Sequence, residues 1–290
     1  MSLDIIHTRE KGAPPLRPRF PPSPPRTRTH RHPPGPLRAA AIQEKPMHPT
    51  ARITRLIAAL FIATFLPSVQ AGMVVNGTRF IYPAKQQEIS VRVSNDGAEP
   101  SLVQAWIDRG DPSSRPDQAD APFLLTPPIF RLDPGKGQSL RLAFTGEVLP
   151  TDRETVFWLN LLDVPPQPAA NSGNSMQFAI RTRLKLFYRP SGLPGSASGA
   201  AQRISWRLVQ NGAQSVLRAS NPSAFHVSFS DVSLNVGGRA HQAGDGMVPP
   251  LGSRDFPLPG AVQRGAAATV VTKWINDYGS SVAHEANLEP

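Results

Sequence analysis

Bond-making chemistry needs a nucleophile, a paired acid and base, or a metal, and this sequence is poor in all three. It contains no cysteine, which excludes a thiolate nucleophile, a Cys-ligated zinc or iron–sulfur site and a disulfide framework. Beyond residue 71 the only histidines are His226, His241 and His284, and they lack metal-ligand spacing. Gly135-Lys136-Gly137 is not a phosphate-binding loop, because Phe130 stands where the first glycine is needed and no Ser or Thr follows Lys136. Gly195 to Gly199 has Ala197 at its centre, so it is not a nucleophile elbow. Asn76-Gly77-Thr78 is a glycosylation sequon by pattern only. No cofactor or metal is expected.

What remains is a strand-like run that carries apolar groups on one face and cations on the other. In residues 176–190, Met176, Phe178, Ile180, Thr182 and Leu184 share one face. Gln177, Ala179, Arg181, Arg183 and Lys185 share the opposite face, until the chain turns apolar at Leu186-Phe187-Tyr188. The run is long beside the common strand length of about 5–6 residues. Periodicity alone fits either a core strand or an edge that offers its apolar groups to a partner.

Such a strand needs neighbours, and strand signals dominate the chain. Ile89, Val91 and Val93 alternate with polar residues before the turn Asn95-Asp96-Gly97. Val103, Ala105 and Ile107 alternate with Trp106 on the other face. Leu140, Leu142 and Phe144 follow the turn Asp133-Pro134-Gly135. Thr155 to Leu162 is dense enough in apolar residues for a strand buried on both faces. After the Gly/Ser/Pro-rich stretch 192–199 the pattern resumes with Ile204, Trp206 and Leu208, with Phe225, Val227 and Phe229, and over Val270 to Ile275. The expected fold is all-β, with sandwich domains at 72–191 and 200–290 joined by the linker 192–199. No amphipathic helical run of a dozen residues is expected after residue 71.

The charge balance changes once the chain is divided. The whole sequence of 290 residues has 31 Lys+Arg against 21 Asp+Glu, and 33 prolines. Residues 1–46 hold 9 Lys+Arg, 3 Asp+Glu and 11 prolines, with no helical or strand period. Such a segment does not offset chain entropy by burial and is expected to be disordered. Met47 opens a basic stretch with Arg52 and Arg55, the 11-residue apolar run Leu56–Leu66, Pro67, and Val69-Gln70-Ala71. That order is a secretory signal over 47–71, and the apolar run is too short to span a bilayer. Translation from Met47 and cleavage after Ala71 are expected, leaving 219 residues with 20 Lys+Arg and 18 Asp+Glu. A nucleic-acid footprint largely disappears with the discarded parts.

Arg183-Leu184-Lys185-Leu186-Phe187-Tyr188-Arg189-Pro190 resembles a signature of the periplasmic pilus chaperones, the PapD-like family. Other segments resemble that family in the right order. They are Gly77 to Tyr82, Gln104 to Ile107, Thr126 to Gly135, Asp152 to Asn160, Val164-Pro165-Pro166, Asn221-Pro222 and Ile275 to Gly279. The resemblance covers Met73 to Gly279. It implies two immunoglobulin-like sandwiches in a boomerang arrangement and a non-enzymatic role. In that role an exported chaperone binds pilus subunits, completes their fold with a donated strand, and delivers them to an outer-membrane usher. By the same resemblance Met176, Phe178 and Ile180 fill the subunit groove, and Arg79 and Lys185 hold its C-terminal carboxylate. Glu154, Arg189 and Asp277 correspond to an interdomain ion network, which makes Asp152 and Glu154 unconvincing as an acid–base pair. The short stretch Gln167 to Ser175 and the lack of cysteine fit the short-loop branch. Only 11 residues follow Gly279, so a truncated last strand is expected. Self-association through the exposed strand is a further expectation.

Two other readings stay open on sequence. One is an exported structural sandwich, adhesin-like or pilin-like. The other is a nucleic-acid binder that uses the Pro/Arg arm and loses affinity steeply with salt.

Overall fold

The computed structural model of the chain describes residues 2–5, 72–167, 176–212, 214–262 and 268–289. The export signal 47–71, its cleavage site and most of the extension 1–46 lie outside the described residues, as does most of the stretch Gln167 to Ser175. The first sandwich contains β1 (Ser2–Ile5), β2 (Met73–Val75), β3 (Arg79–Pro83), β4 (Glu88–Asn95), β5 (Ser101–Asp108), β6 (Phe123–Thr126), β7 (Ile129–Leu132), β8 (Gly137–Phe144), β9 (Thr155–Val164) and β10 (Ile180–Arg189). A short helix, α1 (Ala197–Gln202), leads into the second. There follow β11 (Ser205–Asn211), β12 (Gln214–Asn221), β13 (Val227–Val236), β14 (Arg239–Val248), β15 (Gly252–Pro257), β16 (Ala268–Ile275) and β17 (Ser281–Asn287).

Alternation builds both cores. One sheet of the first sandwich runs β2-β4-β8-β6, and the other runs β1-β10-β9-β5-β7 with β3 also on β10. Val91, Val93, Val103, Leu140, Leu142, Leu159, Leu161 and Leu186 interdigitate between these sheets with essentially no exposed surface. In the second sandwich β11-β12-β15 faces β14-β13-β16-β17 across a core around Trp206, which packs edge-on against Phe229 with ring centroids 5.4 Å apart. The turn after β12 is held by Asn221, whose Nδ2 donates to Phe225 O at 2.8 Å and Pro249 O at 3.0 Å. Part of the expected linker is helical: Ser196 Oγ accepts from Gly199 N at 3.1 Å, which caps α1 at its start.

Three expectations need correction. The run 176–190 is not one strand from its first residue, because the ladder begins at Ile180 and Met176 to Ala179 are irregular. Ile180 pairs with Asp163 near the end of β9, and Pro165-Pro166 beyond it have no N–H to offer. The segment Ser2–Ile5, expected to be disordered, forms a strand antiparallel to β10, with Ser2 opposite Arg183 and Ile5 opposite Ile180. An open strand edge presents a row of backbone donors and acceptors that any extended segment can meet. The last strand is not truncated: β17 pairs with β16 from Ser281↔Ile275 to Asn287↔Thr269, and Leu288 bridges to Trp206.

The polar face of β10 is not a solvated surface. Arg181 and Arg183 are buried and converge on Asp108, at 3.6 and 3.0 Å. Asn160 Oδ1 accepts from Arg181 Nη2 at 2.8 Å and Arg183 Nε at 3.0 Å, and Ser114 Oγ donates to Asp108 Oδ2 at 2.7 Å. The guanidiniums lie over Trp106 and Trp158, 4.7 and 4.8 Å from the ring centroids. Removing this carboxylate takes from two buried cations the ion-pair partner they share. Asp108→Ala is therefore expected to destabilise the first sandwich by about 3–5 kcal/mol, read as a lowered urea midpoint of its unfolding transition.

Candidate functional site

A parallel ladder creates the site. β3 pairs with β10 from Arg79↔Lys185 to Pro83↔Arg189, so the first residue of β3 stands beside the only lysine of β10. The register is fixed three residues further on, where Tyr82 and Tyr188 are opposite each other and their rings stack at 5.9 Å. Tyr82 Oη donates within the loop carbonyls of Gln86 and Gln87, at 3.1 and 2.8 Å, and accepts from Phe144 N at 3.1 Å. A slip of one residue would turn this ring out of the core.

Both cations face the second sandwich. Arg79 is buried, and its Nη1 donates to Ile275 O at 2.9 Å. Its Nε is buried and has no hydrogen-bond partner. Lys185 Nζ donates to the buried Ser228 Oγ at 3.2 Å and lies 5.7 Å from the centre of the Trp158 ring. Among the described residues no carboxylate comes within ion-pair distance of either cation. Burial, helped by the neighbouring Arg79, pushes the Lys185 ammonium down to about 8; Asp245 opposes the shift and Arg254 adds to it. Burial also lowers the pKa of Arg79, against the pull of Asp277 and Glu154. An arginine N–H left unsatisfied in a buried place costs free energy, and an incoming oxygen anion would relieve that cost. Two fixed, partly desolvated cations side by side therefore suit a carboxylate.

Glu154, Arg189 and Asp277 come together next to this site. Arg189 donates from Nε to Glu154 Oε1 at 2.6 Å and grips Asp277 through Nη1 and Nη2 at 2.7 and 2.9 Å. Burial disfavours the Arg189 charge, but the hydrogen bonds and fields of Asp277 and Glu154 outweigh it and raise its pKa. The other Glu154 oxygen accepts from His226 N at 2.8 Å, with His226 Nδ1 at 3.4 Å. Glu154 N also bonds Ala224 O at 2.9 Å. One buried carboxylate thus joins both sandwiches by side chain and backbone.

The apolar residues lie at the other end of β10. Met176, Phe178 and Ile180 are 75%, 43% and 39% exposed, unusual for large apolar side chains so close in sequence. They precede the cations by a fixed length of chain, Ile180 being five residues before Lys185.

Sequence reasoning missed Asp108, Asn160, His226, Asp245 and Arg254. Asn160 had a usable signal, as a polar residue in the apolar run Val156 to Leu162, and it is directly opposite Arg183 of β10; Asp108 is one strand further on, opposite Trp158. His226, Asp245 and Arg254 had none, because what matters is their approach from the second sandwich.

No helix among the described residues is long and apolar enough to cross a membrane. Residues 72–194 match the family described as "Pili and flagellar-assembly chaperone, PapD N-terminal domain", and residues 199–286 match "Pili assembly chaperone PapD, C-terminal domain". The chain is 40% identical to the chaperone protein FimB/FhaD of Bordetella pertussis, over 80% of this chain and 94% of that protein. It is similar to the crystal structure of the CupB2 chaperone of Pseudomonas aeruginosa, with 38% identity, a TM-score of 0.64, and coverage of 74% of this chain and 100% of that chain. It is also similar to the SafB chaperone of Salmonella enterica solved in complex with the SafA pilin, with 29% identity, a TM-score of 0.63, and coverage of 77% and 99%. With both halves matched in order and relatives aligned over nearly their whole length, the chain belongs to the PapD-like family of pilus-assembly chaperones.

Proposed function

We propose that the protein works in the periplasm, where it captures a pilus subunit by lending it the edge of β10 and passes it to an outer-membrane usher. The observation that carries this reading is the buried Arg79 beside the half-buried Lys185, with no carboxylate at ion-pair distance among the described residues, on a strand preceded by the exposed apolar residues Met176 and Phe178. The subunit's last strand would run along the β10 edge. Its backbone would take the place that Ser2–Ile5 occupies in the uncleaved chain. Met176, Phe178 and Ile180 would enter the subunit core, each worth about 1.5–3 kcal/mol on full burial. The terminal carboxylate would accept from Arg79 and Lys185, at about 1.5–3 kcal/mol per charge-assisted hydrogen bond. The apolar groups supply affinity, and the carboxylate fixes register along a ladder that would otherwise slide. Support comes from the SafB chaperone, which was solved with a pilin bound. Glu154, Arg189, Asp277 and His226 act in this reading as the joint that holds the second sandwich against the anchor.

The reading is tested by pulling down the exported protein from cells that assemble surface fibres and identifying what co-purifies by mass. Wild type is expected to bring down pilin-sized partners. Lys185→Ala is expected to lose them, and their survival in that variant would remove the anchor. Phe178→Asp should weaken capture at least about tenfold. Capture should also depend on pH. A bound carboxylate raises the Lys185 pKa above its free value of about 8, so affinity is full below pH 8 and falls as pH rises past it. Lys185→Arg should abolish that fall, since a guanidinium stays charged throughout the range.

A further inference from the structure

A carboxylate stands where the first sandwich should be apolar. Along β9 the core face carries Phe157, Leu159 and Leu161, each at most 1% exposed, and period two places Asp163 next on that face. Asp163 is half-buried at the end of the strand, between Val103 of β5 and Ile180 of β10. Its Oδ1 accepts from the hydroxyl of the buried Ser101. Among the described residues no lysine, arginine or histidine comes within ion-pair distance of it. Burial pushes its pKa up, and a hydrogen bond from the backbone of Met73 opposes that only in part. An ionised carboxylate in such a place calls for a counter-charge.

The backbone of Gly72 is close by. A methyl group there would lie 3.5 Å from Asp163 Oδ2, so the nitrogen of the same residue is within about 6 Å of that oxygen. Gly72 is held from its other side: its carbonyl accepts from Asp96 N at 3.0 Å, and Met73 starts the ladder of β2 opposite Asn95 of β4. In the uncleaved chain the Gly72 nitrogen is a neutral amide. The export signal read from the sequence ends at Ala71, and the match to the family's N-terminal domain begins at residue 72. Hydrolysis of the Ala71–Gly72 bond consumes one water; the new carboxyl group of Ala71 gives up its proton, and the freed amine of Gly72 takes one up. A neutral N–H thereby becomes an ammonium with a full charge. We propose that Asp163 is a receptor for the chain's own new N-terminus: after signal removal the Gly72 ammonium closes an ion pair with this carboxylate and fixes β2 to the end of β9. These strands belong to opposite sheets, so the pair clips the sheets together at the end where Ile180 opens β10. One extra residue in front would carry the charge away by a pleated step of about 3.3 Å. The exposed Asp96 is the competing carboxylate, since its own backbone holds Gly72.

The test uses the exported protein, with its first residue read by mass. Titration of the α-amine is followed through the pH dependence of its acetylation rate in wild type, Asp163→Asn and Asp96→Asn, with thermal unfolding of each as a control. An unpaired α-amine titrates at about 8. In wild type the Gly72 amine should titrate at about 9 and react about tenfold more slowly at pH 7. Asp163→Asn should restore the ordinary value, and Asp96→Asn should not. The contribution of the pair to stability is full below about pH 8 and fades as pH rises through the raised value. A chain made to begin one residue earlier, at Ala71, should therefore unfold at a lower temperature than wild type at pH 7, and Asp163→Asn should erase that difference. An α-amine that titrates at about 8 in wild type would overturn the inference. So would a raised value that survives Asp163→Asn, or one that Asp96→Asn abolishes. A mature chain that begins at any residue other than Gly72 would overturn it as well.

Discussion

Everything in the site depends on a short parallel ladder. Antiparallel neighbours make most of this molecule, yet Arg79 and Lys185 meet only because β3 joins β10 in the parallel sense. A parallel pair needs a long connection between its strands. Here that connection is nearly the whole first sandwich, so both ends of the domain must be in place before the anchor exists. The stacked tyrosines and the hydroxyl of Tyr82 fix the register. Two residues far apart in sequence are thereby brought side by side, without any loop to position them.

The second constraint is the carboxylate of Glu154. It is buried at the junction, and each oxygen serves a different partner, Arg189 on its own sandwich and His226 on the other. A buried ion pair is a weak source of stability but a demanding one in geometry. This one makes the approach of the second sandwich specific. Ser228, Asp245 and Arg254 depend on that approach, so the electrostatics of Lys185 are set by both domains. The low pKa of Lys185 and the orphaned Nε of Arg79 are both costs of keeping cations dry. Binding sites often carry such costs, since an empty site that satisfied itself would have nothing to gain from a ligand.

The fold was legible from the chain because its strands alternate strictly. Val91 and Val93, Leu140 and Leu142, and Val103 and Ile107 all point where period two sends them. Legibility failed where a neighbour decides the outcome. Nothing in Met176 to Ala179 says that the ladder stops short of them; the cause is the pair of prolines after β9. Alternation assigned Arg181 and Arg183 to one face but not to burial, because their carboxylate and amide partners sit on two other strands. The role of Arg79 came from resemblance alone, since an isolated arginine at a strand start carries no signal.

One feature of β10 sets a standard of length. The exposed Ile180 and the Lys185 ammonium lie on one extended strand, separated by five pleated steps of about 3.3 Å each. Backbone pairing along the way is indifferent to side chains, as the strand Ser2–Ile5 illustrates by settling on the same edge. Identity is then not what the strand measures. In the proposed capture it would measure how far a run of apolar residues lies from a chain end. A segment from the middle of a protein has no end to offer, and a terminus one residue too long presents the wrong face to the groove. Such a gauge admits many sequences of one dimension, so subunits that differ widely along the edge can share a chaperone if they keep that interval.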